Sequence, residues 1–167
     1  MRNLIVSICV LAAAAGGMFA IQRRMSQLDD DIVYAHYQDE VNAMRRLDAK
    51  ALCGMMAKDY RHVEIERTAE GEARIELGRD DACTAIQASM RALYKIAKPM
   101  KIAPDVKYTI ESVTLSPDRR QATVKLRTSL KIGRRVSIES TGTETLVRTL
   151  GGVRAIASES REPTKQR

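Results

Sequence analysis

Between residues 32 and 47 the apolar positions return at the spacing of a helix. Val33, Tyr37, Val41, Met44 and Leu47 fall within one arc of about a third of the circumference at ~100° per residue. Asp30 or Asp31, at the end of the polar stretch 25–31, stands where an N-cap belongs. Asp48 interrupts the pattern, and residues 49–57, with Leu52, Met55 and Met56, read as a short second helix closed by Lys58-Asp59. The period then changes. His62-Val63-Glu64-Ile65-Glu66 and Arg74-Ile75-Glu76-Leu77 alternate apolar with polar on either side of Ala69-Glu70-Gly71-Glu72, which predicts a β-hairpin. After Gly78 a third helix is expected to run to about Ala97, capped by Asp80 or Asp81. Its buried stripe is Ala82, Ile86, Met90, Leu93 and Ala97, with Cys83 and Tyr94 beside it, and Pro99 and Pro104 end it. Four strands complete the pattern, at 106–115, 122–132, 136–150 and 153–160, separated by Ser116-Pro117-Asp118-Arg119, Gly133-Arg134-Arg135 and Gly151-Gly152. Gly142 inside the third of them marks a bulge or a sharp bend.

The chain opens differently. Arg2 precedes an 18-residue run without charge, residues 4–21, and Arg23-Arg24 closes it. A basic start and an apolar run read as an export signal or an uncleaved membrane anchor, with Ala15-Gly16-Gly17 available for cleavage. Residues 1–24 are therefore the leader, 25–160 one domain and 161–167 a loose polar tail. The expected address is the cell envelope: the periplasmic side of the inner membrane if anchored through residues 4–21, periplasmic or secreted if cleaved. Of 28 Lys and Arg against 21 Asp and Glu, three arginines belong to the leader, leaving the domain at +4. Its basic residues are interspersed with acids and unaccompanied by aromatic stripes, which argues against a nucleic-acid face. The domain keeps two cysteines, Cys53 and Cys83, and an even pair in an exported domain predicts a disulfide. No Cys-x-x-Cys occurs and the two histidines are scattered, so no metal and no cofactor is expected.

Helix, short helix, hairpin, helix and a four-strand meander define an α+β fold. A strongly bent antiparallel sheet, hairpin plus meander, wraps around three helices, with a hydrophobic helix ahead of it. The order resembles the NTF2-like superfamily, which includes SnoaL-like and ketosteroid-isomerase-like proteins. The stretches that carry the resemblance are Arg46-Leu47-Asp48-Ala49-Lys50-Ala51-Leu52 through Asp59-Tyr60, and Gly78-Arg79-Asp80-Asp81-Ala82. Leu47 stands where the family has the glycine of a Gly-Asp break. The resemblance implies a cone with an inner cavity. In isomerase members it implies a tyrosine on the first helix, a position that falls near Asp39 or Glu40 here, and a carboxylate base near Glu64, with Asp59 and Glu66 fitting less well.

From the residues themselves, Glu40 is the anomaly. It lies within the apolar arc, four residues after His36 and three after Tyr37, its nearest candidate partners. His36, Tyr37, Glu40, Tyr60, His62 and Glu64 are the pocket candidates. Two functions compete. One is a non-catalytic envelope module that binds a small apolar or amphipathic ligand, or a protein partner or second copy through the sheet face of Thr123, Lys125, Arg127 and Ser129. The other is a SnoaL- or isomerase-type enzyme with a cavity carboxylate as general base. Two or more titratable side chains converging in one pocket would separate them.

Overall fold

Asp29 caps the first helix, one residue earlier than expected. Its side chain accepts the Ile32 N–H at 2.9 Å, which leaves Asp30 and Asp31 in the first turn at the positive end of the helix. The structure, a computed structural model, describes residues 27–68, 71–134 and 136–161. The leader, residues 1–24, and the tail from 162 lie outside the described residues. No helix among the described residues is long and apolar enough to cross a membrane.

The elements in chain order are α1 (Asp30–Arg45), α2 (Ala49–Gly54), β1 (Met56–Thr68), β2 (Gly71–Gly78), α3 (Arg79–Met100), β3 (Asp105–Leu115), β4 (Gln121–Ile132), β5 (Val136–Thr149) and β6 (Gly152–Arg161). Helix α1 stops because Leu47 takes a left-handed conformation (φ 55°), with the Asp48 N–H bonded to the Ala43 carbonyl and the Leu47 N–H to Met44. This is the position of the missing glycine. Leucine adopts that φ at a cost of roughly 1–2 kcal/mol, offset by packing of its side chain against Val41 and its neighbours.

Two helix boundaries differ from the sequence pattern. Helix α2 ends at Gly54, and Met56 through Asp59 begin β1 instead of finishing the helix. The sheet captures them: Met56 pairs with Ala155 of β6, and the Ala155 N–H donates to the Met55 carbonyl at 2.9 Å. Helix α3 is capped by Gly78, with no side-chain hydrogen bond, so Asp80 and Asp81 again sit within the first turn. It also runs past Pro99 to Met100 and stops at Lys101 in the left-handed region. Tyr94 is half exposed, under the Lys98 ammonium, and takes no part in the buried stripe.

The six strands form one sheet in the order β2-β1-β6-β5-β4-β3. All neighbours are antiparallel except β1 and β6, which run parallel, so the expected all-antiparallel sheet is corrected at that junction. Gly142 is not a bulge. It pairs in register with Leu126 and Ser160, and the β5–β6 ladder shifts register between Thr145 and Leu146, where Ile156 of β6 is the extra residue. Glycine is needed there because a Cβ would lie 2.6 Å from the Glu159 carbonyl oxygen.

Apolar packing gathers into two clusters. Leu28, Val33, Tyr37, Val124 and Leu146 anchor one end, and Val41, Leu52, Met90, Leu93, Val106 and Ile132 the other. Each fully buried aliphatic side chain contributes roughly 1.5–3 kcal/mol. Tyr108 packs against both clusters. Leu28, in the stretch read only as a polar lead-in, is wholly buried and exchanges hydrogen bonds with Arg119.

Cys53 and Cys83 are joined in a disulfide with Cα atoms 5.4 Å apart, tying α2 to α3 across 30 positions. Loss of this cross-link in a Cys53→Ser/Cys83→Ser double variant is expected to cost roughly 3–4 kcal/mol by chain entropy. Urea unfolding of oxidised protein against the variant checks it, and coincident curves would refute a structural role. Gly142→Ala is expected to cost about 2 kcal/mol, since β6 backbone must move. Gly54→Ala, where an added Cβ meets nothing within 4 Å, serves as the control. Equal melting temperatures for both would contradict the close-approach argument.

Candidate functional site

A cavity of about 300 Å³ lies between the two apolar clusters, inside the curl of the sheet. Met44, Leu52, Met55, Met56, Ile86 and Met90 give it one apolar wall, supplied by the three helices and the start of β1. Glu40 reaches it from α1, since it shares the helix face of Tyr37 and Met44. Its partner is neither of the expected neighbours. The Tyr108 hydroxyl, from β3, donates to Glu40 Oε1 at 2.8 Å. Tyr37 instead donates to Glu144 Oε2 at 2.8 Å, and the Tyr37 and Tyr108 rings lie 5.3 Å apart. The floor of the cavity is thus two carboxyl groups, each held by a tyrosine hydroxyl.

His36 completes this floor. One ligand-type atom from each of His36, Glu40 and Glu144 lies within 4.8 Å of the others. On the opposite wall, the Ser158 hydroxyl of β6 meets both the Tyr60 hydroxyl and His62 Nδ1 at 2.6 Å, and Ser160 lies 3.5 Å from His62 Nε2. Five of the six candidates therefore line one cavity. Glu64 does not. It continues the Tyr60–His62 row but lies further along β1, opposite Ser160 near the end of β6. Glu144 and Tyr108 escaped the sequence reading. The strand period carried a signal for Glu144, which stands between Gly142 and Leu146 on one face of β5. Tyr108 sits in an apolar row with Val106 and Ile110 and shows no anomaly.

Electrostatics follow from the enclosure. Burial raises Glu144 to about 8, reinforced by the charge of Glu40 and opposed by the Tyr37 hydrogen bond. Burial raises Glu40 as well, against the Tyr108 hydrogen bond. Each of the two carboxyl groups therefore holds its proton more tightly than a free glutamic acid does. Burial, then the Glu144 charge and hydrogen bond, push the Tyr37 hydroxyl far up. Burial and Glu40 do the same to Tyr108. Burial pushes Tyr60 up to about 12, against its bond to Ser158. His36 is held down at about 4 by burial, which outweighs Asp39, and Arg154 lowers it further. Burial also lowers His62, with Glu64 opposing.

Three solved structures place this architecture. The chain is similar to a domain of unknown function with a cystatin-like fold from Nostoc punctiforme, at TM-score 0.59 and 11% identity over 82% of this chain and 78% of that one. It is similar to an NTF2-like protein of unknown function from Silicibacter pomeroyi, at TM-score 0.53 and 15% identity over 80% and 94%. An NTF2-like protein with a cystatin-like fold from Novosphingobium aromaticivorans aligns over 93% and 92%, at TM-score 0.52 and 17% identity. No family model matches the chain, and no curated protein matches it. The chain has the NTF2-like, cystatin-like fold that its element order implied, and these identities carry the fold alone.

The raised Glu144 gives a signed pH dependence. Its proton is retained in the folded chain and lost in the unfolded one between pH ~4.5 and about 8, so stability falls as pH rises through that window. His36 acts oppositely, but only from about 4 to 6.5. The protein is therefore expected to lose stability from pH 6.5 to 8, by up to about 1.4 kcal/mol per unit through Glu144, to which the raised Glu40 adds. Glu144→Gln should flatten the decline. Urea midpoints in chelating buffer at both pH values test this, and a flat wild-type profile would contradict it.

Proposed function

We propose that the cone takes up a small, largely apolar molecule and seats its hydrogen-bonding group on the floor made by Glu40, Glu144, Tyr37 and Tyr108. The observation that carries this reading is the division of one cavity into a methionine-rich wall and a convergent polar floor. Its volume falls at the lower end of the range for small-molecule sites, and unbranched methionines adapt to the shape of an apolar guest. The leader pattern and the Cys53–Cys83 bridge support an oxidising, extracytoplasmic address for this binding module.

One observation favours a second reading, an acid–base enzyme of the isomerase type. Two carboxyl groups converge where a bound carbonyl would sit, although they are Glu40 and Glu144 and not the expected Glu64. In that reaction one carboxylate oxygen takes a proton from the carbon next to the carbonyl. The C–H electron pair becomes a carbon–carbon double bond while the carbonyl π pair moves to the oxygen, held by a neighbouring hydroxyl, and as the proton returns to carbon these shifts reverse.

A series of medium-chain aliphatic ketones and alcohols tests both readings in chelating buffer. Saturable stabilisation of the folded protein by these probes, lost in Met90→Trp, which fills the cavity, is expected. No stabilisation by any member would overturn the binding reading. Deuterium incorporation into the bound ketone from heavy water, abolished by Glu40→Gln and Glu144→Gln, would establish the enzyme. Binding without incorporation would refute the enzyme and leave the binding module.

A further inference from the structure

We propose that His36, Glu40 and Glu144 together bind one divalent first-row transition ion, through one imidazole nitrogen and two carboxylate oxygens, at the floor of the cavity. The inference rests on the ligand-binding reading only in making this ion the group that a bound molecule would meet.

Three independent observations converge on it. The first is position. Among the described residues, no other three His, Cys, Asp or Glu side chains bring ligand atoms within 4.8 Å of one another. His36 and Glu40 are four residues apart on α1, the spacing that stacks two side chains on one helix face, and Glu144 faces them from β5. The second is His36 itself. It is only 7% exposed, it lines the cavity, and its ring meets the edge of Tyr37. No described residue hydrogen-bonds to it, and its ring nitrogens are not sealed off from open space, so they are available to a ligand. The third is charge. Two enclosed carboxyl groups face a cavity with no lysine or arginine among its lining residues, so no side-chain cation occupies the place an ion would take.

The outer contacts also suit a metal centre. Tyr108 holds one oxygen of Glu40 and Tyr37 one oxygen of Glu144, leaving the second oxygen of each free for an ion. Bonds of about 2.0–2.2 Å require donors about 3–4 Å apart, so side-chain rotation of about 1 Å closes the site. Three protein ligands leave positions open to water or to a bound molecule, as in catalytic rather than structural sites. One imidazole with two carboxylates suits zinc, iron or manganese. Magnesium and calcium, which take all-oxygen shells, fit poorly.

The test uses the full chain, stripped with chelator and titrated with Zn²⁺ alone by calorimetry and with Mn²⁺ followed by electron paramagnetic resonance. One equivalent is expected to bind with a Kd of about 10 µM or lower for zinc and weaker for manganese. Magnesium at millimolar concentration should not compete. His36→Ala and Glu144→Gln are each expected to weaken zinc binding by about 100-fold or more, and Tyr108→Phe by about tenfold. Glu111→Gln, which alters an exposed carboxylate paired with Arg127 and outside the cavity, should leave the zinc affinity unchanged. Glu144→Gln removes a charge without changing shape, and its melting curve in chelator shows that the variant folds. No saturable uptake of zinc or manganese up to about 1 mM, or uptake indifferent to both His36→Ala and Glu144→Gln, would overturn the proposal. Ketone binding in chelator tests the cavity separately, so a failure of the metal site is distinguishable from a failure of the ligand reading.

Discussion

Strand β6 runs parallel to β1 on one side and antiparallel to β5 on the other, and through it the two halves of the chain become one sheet. The first half, α1 to α3 with the hairpin, has no sheet of its own large enough to cover its apolar faces. The meander has an apolar face and no helix within it. Each half supplies what the other lacks, but only if the last strand returns to lie beside the first. That long-range closure draws Met56 through Asp59 out of a helical pattern and into β1, curls the sheet, and brings Tyr60 and His62 opposite Ser158. The cavity is the space that this closure leaves between two separately packed clusters.

Within that space a second constraint operates. Carboxyl groups are seldom enclosed without a cation, and two enclosed together are rarer still. The cone accepts both because each is bonded to a tyrosine whose own hydroxyl stays protonated far above neutral pH. Tyr37 and Glu40 sit on one helix, Tyr108 and Glu144 on two strands, and the donors cross: the helix tyrosine serves the strand carboxylate and the strand tyrosine the helix carboxylate. The crossing ties the position of α1 to the sheet with directional bonds where the apolar clusters have a gap.

The sequence made the elements legible because their periods are clean. The helical arcs of α1 and α3 and the alternation along β4 place buried side chains at Val33, Val41, Met90, Leu93, Val124 and Leu130, as the structure does. The inward placement of Glu40 was also readable, since an acid within an apolar arc has few other places to go. Its partner was not. Local spacing offers only Tyr37 and His36, whereas Tyr108 arrives from 68 residues away. For Glu144 the alternation of β5 marks its face, but its partner was hidden for the same reason, since Tyr37 reaches it from α1. Gly142 is legible as special, but the bulge expected there is absent, because a glycine demanded by the approach of another backbone looks, in one dimension, like a glycine at a bulge in its own strand. The failures gather where long-range pairing decides the outcome, and so they gather at the site.

The covalent tie between α2 and α3 reaches further than the stability of the domain. Leu52 adjoins Cys53, and Ile86 lies one turn beyond Cys83, so the two half-cystines stand at the root of the apolar wall. A guest that presses on that wall works against a stapled pair of helices and not against two independent ones. Reduction would release the pair, and by linkage it would weaken a guest's hold by as much as the guest opposes release. If the cone holds a guest as proposed, the thiol chemistry of the surroundings would become a variable in its affinity, and a chain retained in a reducing compartment would carry the same fold around a slacker vessel.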